Sequence, residues 1–145
     1  MPAKRSTRSS TATRNEAYVD TSALIAFADR SDSYHALFRR LFADPPPLIT
    51  TVLVLPEGHA WFLKRYDAAK GLQFLSMTEA MPLTIMAAGL PEQQAASAII
   101  RNYADQDLTL TDAVGLHMMA SRRIRICWST DFHLGLTKVP LVIHT

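Results

Sequence analysis

The 145-residue chain has a single cysteine, Cys127, so no internal disulfide can form and the fold must rest on packing. Ile126 and Trp128 on either side mark Cys127 as a packed strand residue rather than a nucleophile. No uninterrupted apolar run approaches the roughly 20 residues of a membrane helix, and the basic N-terminus lacks the apolar stretch of a signal peptide. No membrane association and a cytoplasmic location are therefore expected. There is no internal repeat and no long linker. At this length one domain with a real core, and one site, is the expectation. Apolar residues make up 48% of the chain and charged ones 19%, a globular balance.

The formal net charge of +2 is unevenly placed. Residues 1–16 hold Lys4, Arg5, Arg8 and Arg14 against Glu16, whereas the rest holds 11 basic and 12 acidic residues. Charge alone thus does not mark the body as a nucleic-acid binder. The leader, with its run of Ser6, Thr7, Ser9, Ser10, Thr11 and Thr13, has no periodicity and no large apolar residue to bury. It is expected to be a disordered basic segment, with the domain occupying 17–145.

Beyond the leader, short apolar strands alternate with amphipathic helices, the rhythm of a parallel sheet covered on both faces. Strands are predicted at 17–19, 48–49, 81–86 and 124–128, with 141–143 as a last edge strand after Pro140. Thr21 or Ser22 would cap the first helix, Thr51 a helix carrying Leu55, His59, Phe62 and Tyr66, and Thr111 a helix beginning at Asp112. Tyr34, Leu37, Phe38, Leu41 and Phe42 share one helical face, which Pro45 to Pro47 end. Pro56 implies that its helix starts late or bends before Glu57.

In an open parallel sheet the site lies beyond the carboxyl ends of the strands. Asp20 and Asp131 stand there, and Asp112 and Glu57, each early in a helix, could face the same crevice. Four carboxylates brought together raise one another's pKa or recruit a cation, and an oxygen set suits Mg²⁺ or Mn²⁺ rather than Zn²⁺. Such an ion suits phosphodiester hydrolysis. Taken singly, each acid has a plainer use as a helix cap, a dipole partner or a solvated side chain.

Four segments together resemble the PIN-domain ribonucleases: Tyr18-Val19-Asp20-Thr21-Ser22-Ala23-Leu24, Thr50-Thr51 with Glu57, Leu110-Thr111-Asp112-Ala113 with Ala120, and Ser129-Thr130-Asp131 with Phe132. More narrowly the chain is similar to VapC-type toxins, over residues 17–143. The resemblance implies a three-layer α/β/α fold with a mostly parallel sheet of about five short strands. It also implies an Mg²⁺- or Mn²⁺-dependent endoribonuclease, the toxin of a toxin–antitoxin pair. By the same resemblance Asp20, Glu57, Asp112 and Asp131 form the metal-binding acidic quartet, and Ser129 helps hold the site by hydrogen bonding. An RNA substrate, a cognate antitoxin and a homodimer are the implied partners. Pro56, directly before Glu57, departs from the pattern.

Two other readings stay open: a catalytically inactive PIN-like module that binds RNA or protein, and a housekeeping RNA-processing nuclease. A phosphoryl-accepting aspartate is disfavoured, because Ser22 stands where a dehalogenase-type phosphatase wants its second Asp. His59, on the apolar face of its helix, and His133, two residues after Asp131, are assigned to packing or surface, as are His35, His117 and His144, which show no ligand spacing. Asp105 and Asp107 are read as solvated loop acids. Arg39, Arg40, Lys64, Arg65, Arg122, Arg123 and Arg125 are read as solvated faces, some of which could steer a phosphate backbone. Phe38, Phe42 and Trp61 are assigned mainly to the core.

Overall fold

The computed structural model describes residues 15–144. The expectation of a disordered leader falls on residues 1–14, outside the described residues. Glu16, counted with that leader, is buried, and Nη2 of Arg122 approaches its carboxylate to 2.9 Å.

Four parallel strands, β1 (Ala17–Val19), β2 (Leu48–Thr51), β3 (Leu83–Met86) and β4 (Ile126–Trp128), stand in the order β3-β2-β1-β4. Ala17, Tyr18 and Val19 pair with Ile126, Cys127 and Trp128, which puts β1 and the edge strand β4 in register at their carboxyl ends. The helices are α1 (Thr21–Ala28), α2 (His35–Ala43), α3 (Val54–Arg65), α4 (Ala68–Ala80), α5 (Leu90–Asn102) and α6 (Leu110–Arg122). Among the described residues no helix is long and apolar enough to cross a membrane.

Side chains on a strand alternate between faces, and that alternation builds the three layers. Ala17, Val19, Leu48 and Trp128 join one core with residues of α1 to α4, while Tyr18, Ile49 and Cys127 join a second with residues of α6. Phe38 of α2 is fully buried in the first core, its ring 6.4 Å from that of Trp128, and Phe42 meets Trp128 edge-on at 4.9 Å. Burying one such ring stabilises the fold by about 2–3 kcal/mol. Gly115 lets α6 approach β1 closely, since a Cβ there would stand 2.9 Å from the Tyr18 hydroxyl.

The caps differ from those expected. Asp20 rather than Thr21 or Ser22 caps α1, because its extended backbone turns the carboxylate onto the Ser22 N–H. Thr51 remains in β2, and α3 starts late with Leu53 at its cap and no side-chain hydrogen bond there. Pro56 is then the third residue of α3, where the backbone N–H has no helical partner to lose. No bend before Glu57 is needed, and its N–H reaches the Leu53 carbonyl at 3.4 Å. Thr109 rather than Thr111 caps α6, in a reciprocal pair with Asp112.

The sheet has four strands rather than five. After Pro140, Leu141 makes one parallel bridge to Cys127, and residues Val142–His144 curl into a 3₁₀ turn. Val142 and Ile143 thereby pack against the cores as a cover instead of extending an edge. β3 begins at Leu83 rather than Met81, because Met81 closes α4 and Pro82 has no N–H to give a ladder.

Candidate active site

β1 and β4 each lead to an acid beyond the carboxyl end of the strand. Asp20 follows Val19 directly and is only 4% exposed. Asp131 lies three residues beyond Trp128, at the cap of a 3₁₀ turn, Phe132–Gly135. Asp112 enters from the first turn of α6 and Glu57 from the first turn of α3. All four line one hollow of about 280 Å³, together with Thr21, Ser22, Ile25, Trp61 and Thr109. The topology thus brings the four acids named from the sequence into one place.

Hydroxyl groups hold these acids in position. Ser22 Oγ donates to Asp20 Oδ2 at 2.6 Å and Ser129 Oγ donates to the same oxygen at 3.0 Å. Each hydroxyl also accepts a backbone N–H from the β4 loop, Ser22 Oγ from Thr130 at 3.0 Å and Ser129 Oγ from Asp131 at 2.8 Å. Ser129 therefore ties the two strand ends together. On α6, Asp112 Oδ2 accepts from the Thr109 N–H at 3.2 Å, leaving its other oxygen for the hollow.

The electrostatics are those of charges short of a counter-ion. Burial pushes the Asp20 carboxyl up to about 6; the Ser22 and Ser129 hydrogen bonds oppose the shift, and Asp112 and Glu57 add to it. Burial also raises Glu57, with Asp112 and Asp131 adding repulsion, and it raises Asp112, with Asp131 adding repulsion. Cys127, buried behind them, is raised well above the ordinary thiol range by burial and by Asp20 and Asp131. It is a packing residue, as expected.

The residues present fit a hard divalent cation. Four carboxylates from four separate segments converge on one hollow, and burial and mutual repulsion raise three of them. An oxygen-rich donor set of this kind is what Mg²⁺ or Mn²⁺ takes.

His133 was assigned to packing or surface, and the structure places it at the site. Its Nδ1 lies 2.9 Å from Asp131 Oδ1. The histidine two residues after Asp131 was visible in the sequence, but the turn that folds it back was not. Two other histidines are structural: His35 Nδ1 is 2.9 Å from the Ala26 carbonyl, and His59 packs beside Gly71. Trp61 packs against the first core, as expected, and also stands half-buried in the wall of the hollow.

A larger hollow, about 510 Å³, lies between the end of α1 and helices α3 and α4. Its one lining carboxylate is Asp29. Burial pushes that group up, but hydrogen bonds from the Ser31 hydroxyl and backbone and from Tyr66 outweigh burial and hold it low. A satisfied acid of that kind is a poor ion ligand, so the chemistry is sought at the smaller hollow.

Three layers around a parallel sheet, with acids gathered at its carboxyl edge, make this a PIN-like fold. The structure is similar to that of Mycobacterium tuberculosis VapC20, a sarcin–ricin-loop-cleaving toxin, with TM-score 0.77 and 19% identity over 84% of this chain and 95% of that one. It is also similar to a chain of a toxin–antitoxin complex from Klebsiella pneumoniae, with TM-score 0.58 and 20% identity over 87% of this chain and 95% of the other. No family model and no curated protein sequence matches the chain.

Proposed function

We propose that the protein is an Mg²⁺- or Mn²⁺-dependent endoribonuclease of the VapC type, the toxin of a toxin–antitoxin pair. One observation carries the reading: Asp20, Glu57, Asp112 and Asp131 line a single hollow, three of them with raised carboxyls. Groups that share a burden of unneutralised charge in a cleft are what a metal-assisted site requires. Asp20, Glu57 and Asp112 would hold the ion, with Asp131 completing a second position or orienting water. The bound ion would supply the Lewis-acid charge that phosphodiester hydrolysis needs at its transition state.

The chain's own part is positioning. Ser22 and Ser129 fix the Asp20 carboxylate, and Thr109 fixes that of Asp112, before any substrate arrives. The acidic hollow repels a phosphate backbone until its charge is offset, and exposed Arg39, Arg40, Lys64 and Arg65 offer steering at longer range. An antitoxin partner, supported by the likeness to a chain of a toxin–antitoxin complex, and a homodimer complete the reading.

The test is direct. Purified protein is incubated with labelled RNA and Mg²⁺ or Mn²⁺, with and without EDTA, beside Asp20→Asn. Cleavage that needs the ion and is lost in the variant is the expected result. Cleavage in EDTA, or undiminished cleavage by the variant, refutes the reading.

A further inference from the structure

An imidazole stands beside the acids of the hollow. A ring nitrogen of His133 and carboxylate oxygens of Asp112 and Asp131 all lie within 4.8 Å of one another. Donors on opposite sides of a small ion stand roughly 4.2 Å apart when each bond is about 2.1 Å. This trio therefore has the spread of a ligand set.

The imidazole is held firmly. Its Nδ1 lies 2.9 Å from Asp131 Oδ1, the His133 backbone N–H donates to the same oxygen at 3.0 Å, and the Phe132 ring covers it with centroids 4.2 Å apart. Its side chain is 17% exposed. Nδ1 stands from Asp131 Oδ1 at the spacing of two adjacent ligands on one small ion, about 3.0 Å when each bond is about 2.1 Å.

We propose that His133 is a nitrogen donor to the ion held by the acids, so that the centre is a mixed oxygen–nitrogen set that favours Mn²⁺ over Mg²⁺. This rests on the metal-site reading above and adds a ligand to it. Mg²⁺ takes oxygen ligands and keeps several waters, whereas first-row transition ions accept imidazole readily. A site composed only of the four acids would lack that bias.

The full-length chain, stripped of metal, is titrated with Mn²⁺ and read by pulsed EPR, which detects ¹⁴N nuclei coupled to the bound ion. The expected result is bound Mn²⁺ with imidazole nitrogen coupling that disappears in His133→Asp. Replacing the imidazole is expected to lower the preference for Mn²⁺ over Mg²⁺, measured by competition, about 10- to 100-fold, the range by which groups supporting a metal site alter affinity. Bound Mn²⁺ without nitrogen coupling in the unmodified protein overturns the histidine ligand and leaves the acid site standing. No Mn²⁺ binding at all overturns both. The wild-type spectrum decides the ligand even where the variant folds poorly.

Discussion

Glu57 and Gly58 are neighbours on α3 and face opposite problems. Gly58 meets Phe74 of α4 so closely that an added Cβ would fall 2.1 Å from the ring. Glu57 faces a hollow in which negative charge is gathered without a counter-charge. One side of the helix is filled to the last atom and contributes stability through close packing. The other is left open and costs stability while it is empty. A single helix thus joins the part of the molecule that holds the fold to the part proposed to carry the chemistry.

The largest expected effect would sharpen the contrast from the acidic side. Asp20→Asn is expected to lower RNA cleavage roughly a thousandfold, about 4 kcal/mol of transition-state stabilisation. The same variant is expected to unfold at a higher temperature than wild type when both are metal-free at neutral pH. A lower melting temperature would show that Asp20 is structural and that the comparison is wrong.

Next comes pH. In the metal-free protein the folded-state pKa of Asp20, about 6, lies above its unfolded value of 3.8, so the native state holds the proton more tightly. Its contribution is fully present below the unfolded value and is lost as pH rises through the folded one. Glu57 and Asp112 move in the same direction. Denaturant titrations of metal-free protein are expected to lose about 2 kcal/mol from Asp20 as pH rises from 4 to 7. Asp20→Asn should flatten that slope, and Mn²⁺ at neutral pH should restore the lost stability.

On the packed face, Gly58→Ala is expected to cost about 1–3 kcal/mol through overpacking, read as a drop in melting temperature. Adding Phe74→Leu should make the second change non-additive, because the smaller residue yields the space. Full additivity would mean that the two residues do not meet. Ser129→Ala removes the donor that bridges Asp20 to the Asp131 backbone, with an expected loss of about 1–2 kcal/mol. Cleavage should fall with it, and unchanged activity would remove Ser129 from the site.

The acids were legible because their positions follow from topology. Asp20 and Asp131 end strands that could be read from Ala17-Tyr18-Val19 and Ile124 to Trp128, and parallel strands deliver their ends to one edge. What escaped the sequence depends on exchanges a few residues long. Three helix caps stand one or two residues from where the sequence puts them, because several nearby serines, threonines and aspartates can cap until the backbone chooses, and α3 settles on Leu53 with no side-chain bond. The apolar run Leu141-Val142-Ile143 reads as a strand, yet after one bridge its burial is met by a turn over two cores. His133 was missed for a related reason, since a 3₁₀ turn, not a repeat or spacing, folds it onto Asp131.

The three hydrogen bonds to Asp20, from the Ser22 N–H and from two hydroxyls, all fall on Oδ2, and none among the described residues falls on Oδ1. That lopsided clamp works like a jig: the carboxylate is already aimed, with one oxygen engaged and the other bare. Capture of an ion would then wait on how fast the ion sheds its hydration shell rather than on any rearrangement of the chain, and Mg²⁺, which gives up water reluctantly, would load more slowly than Mn²⁺.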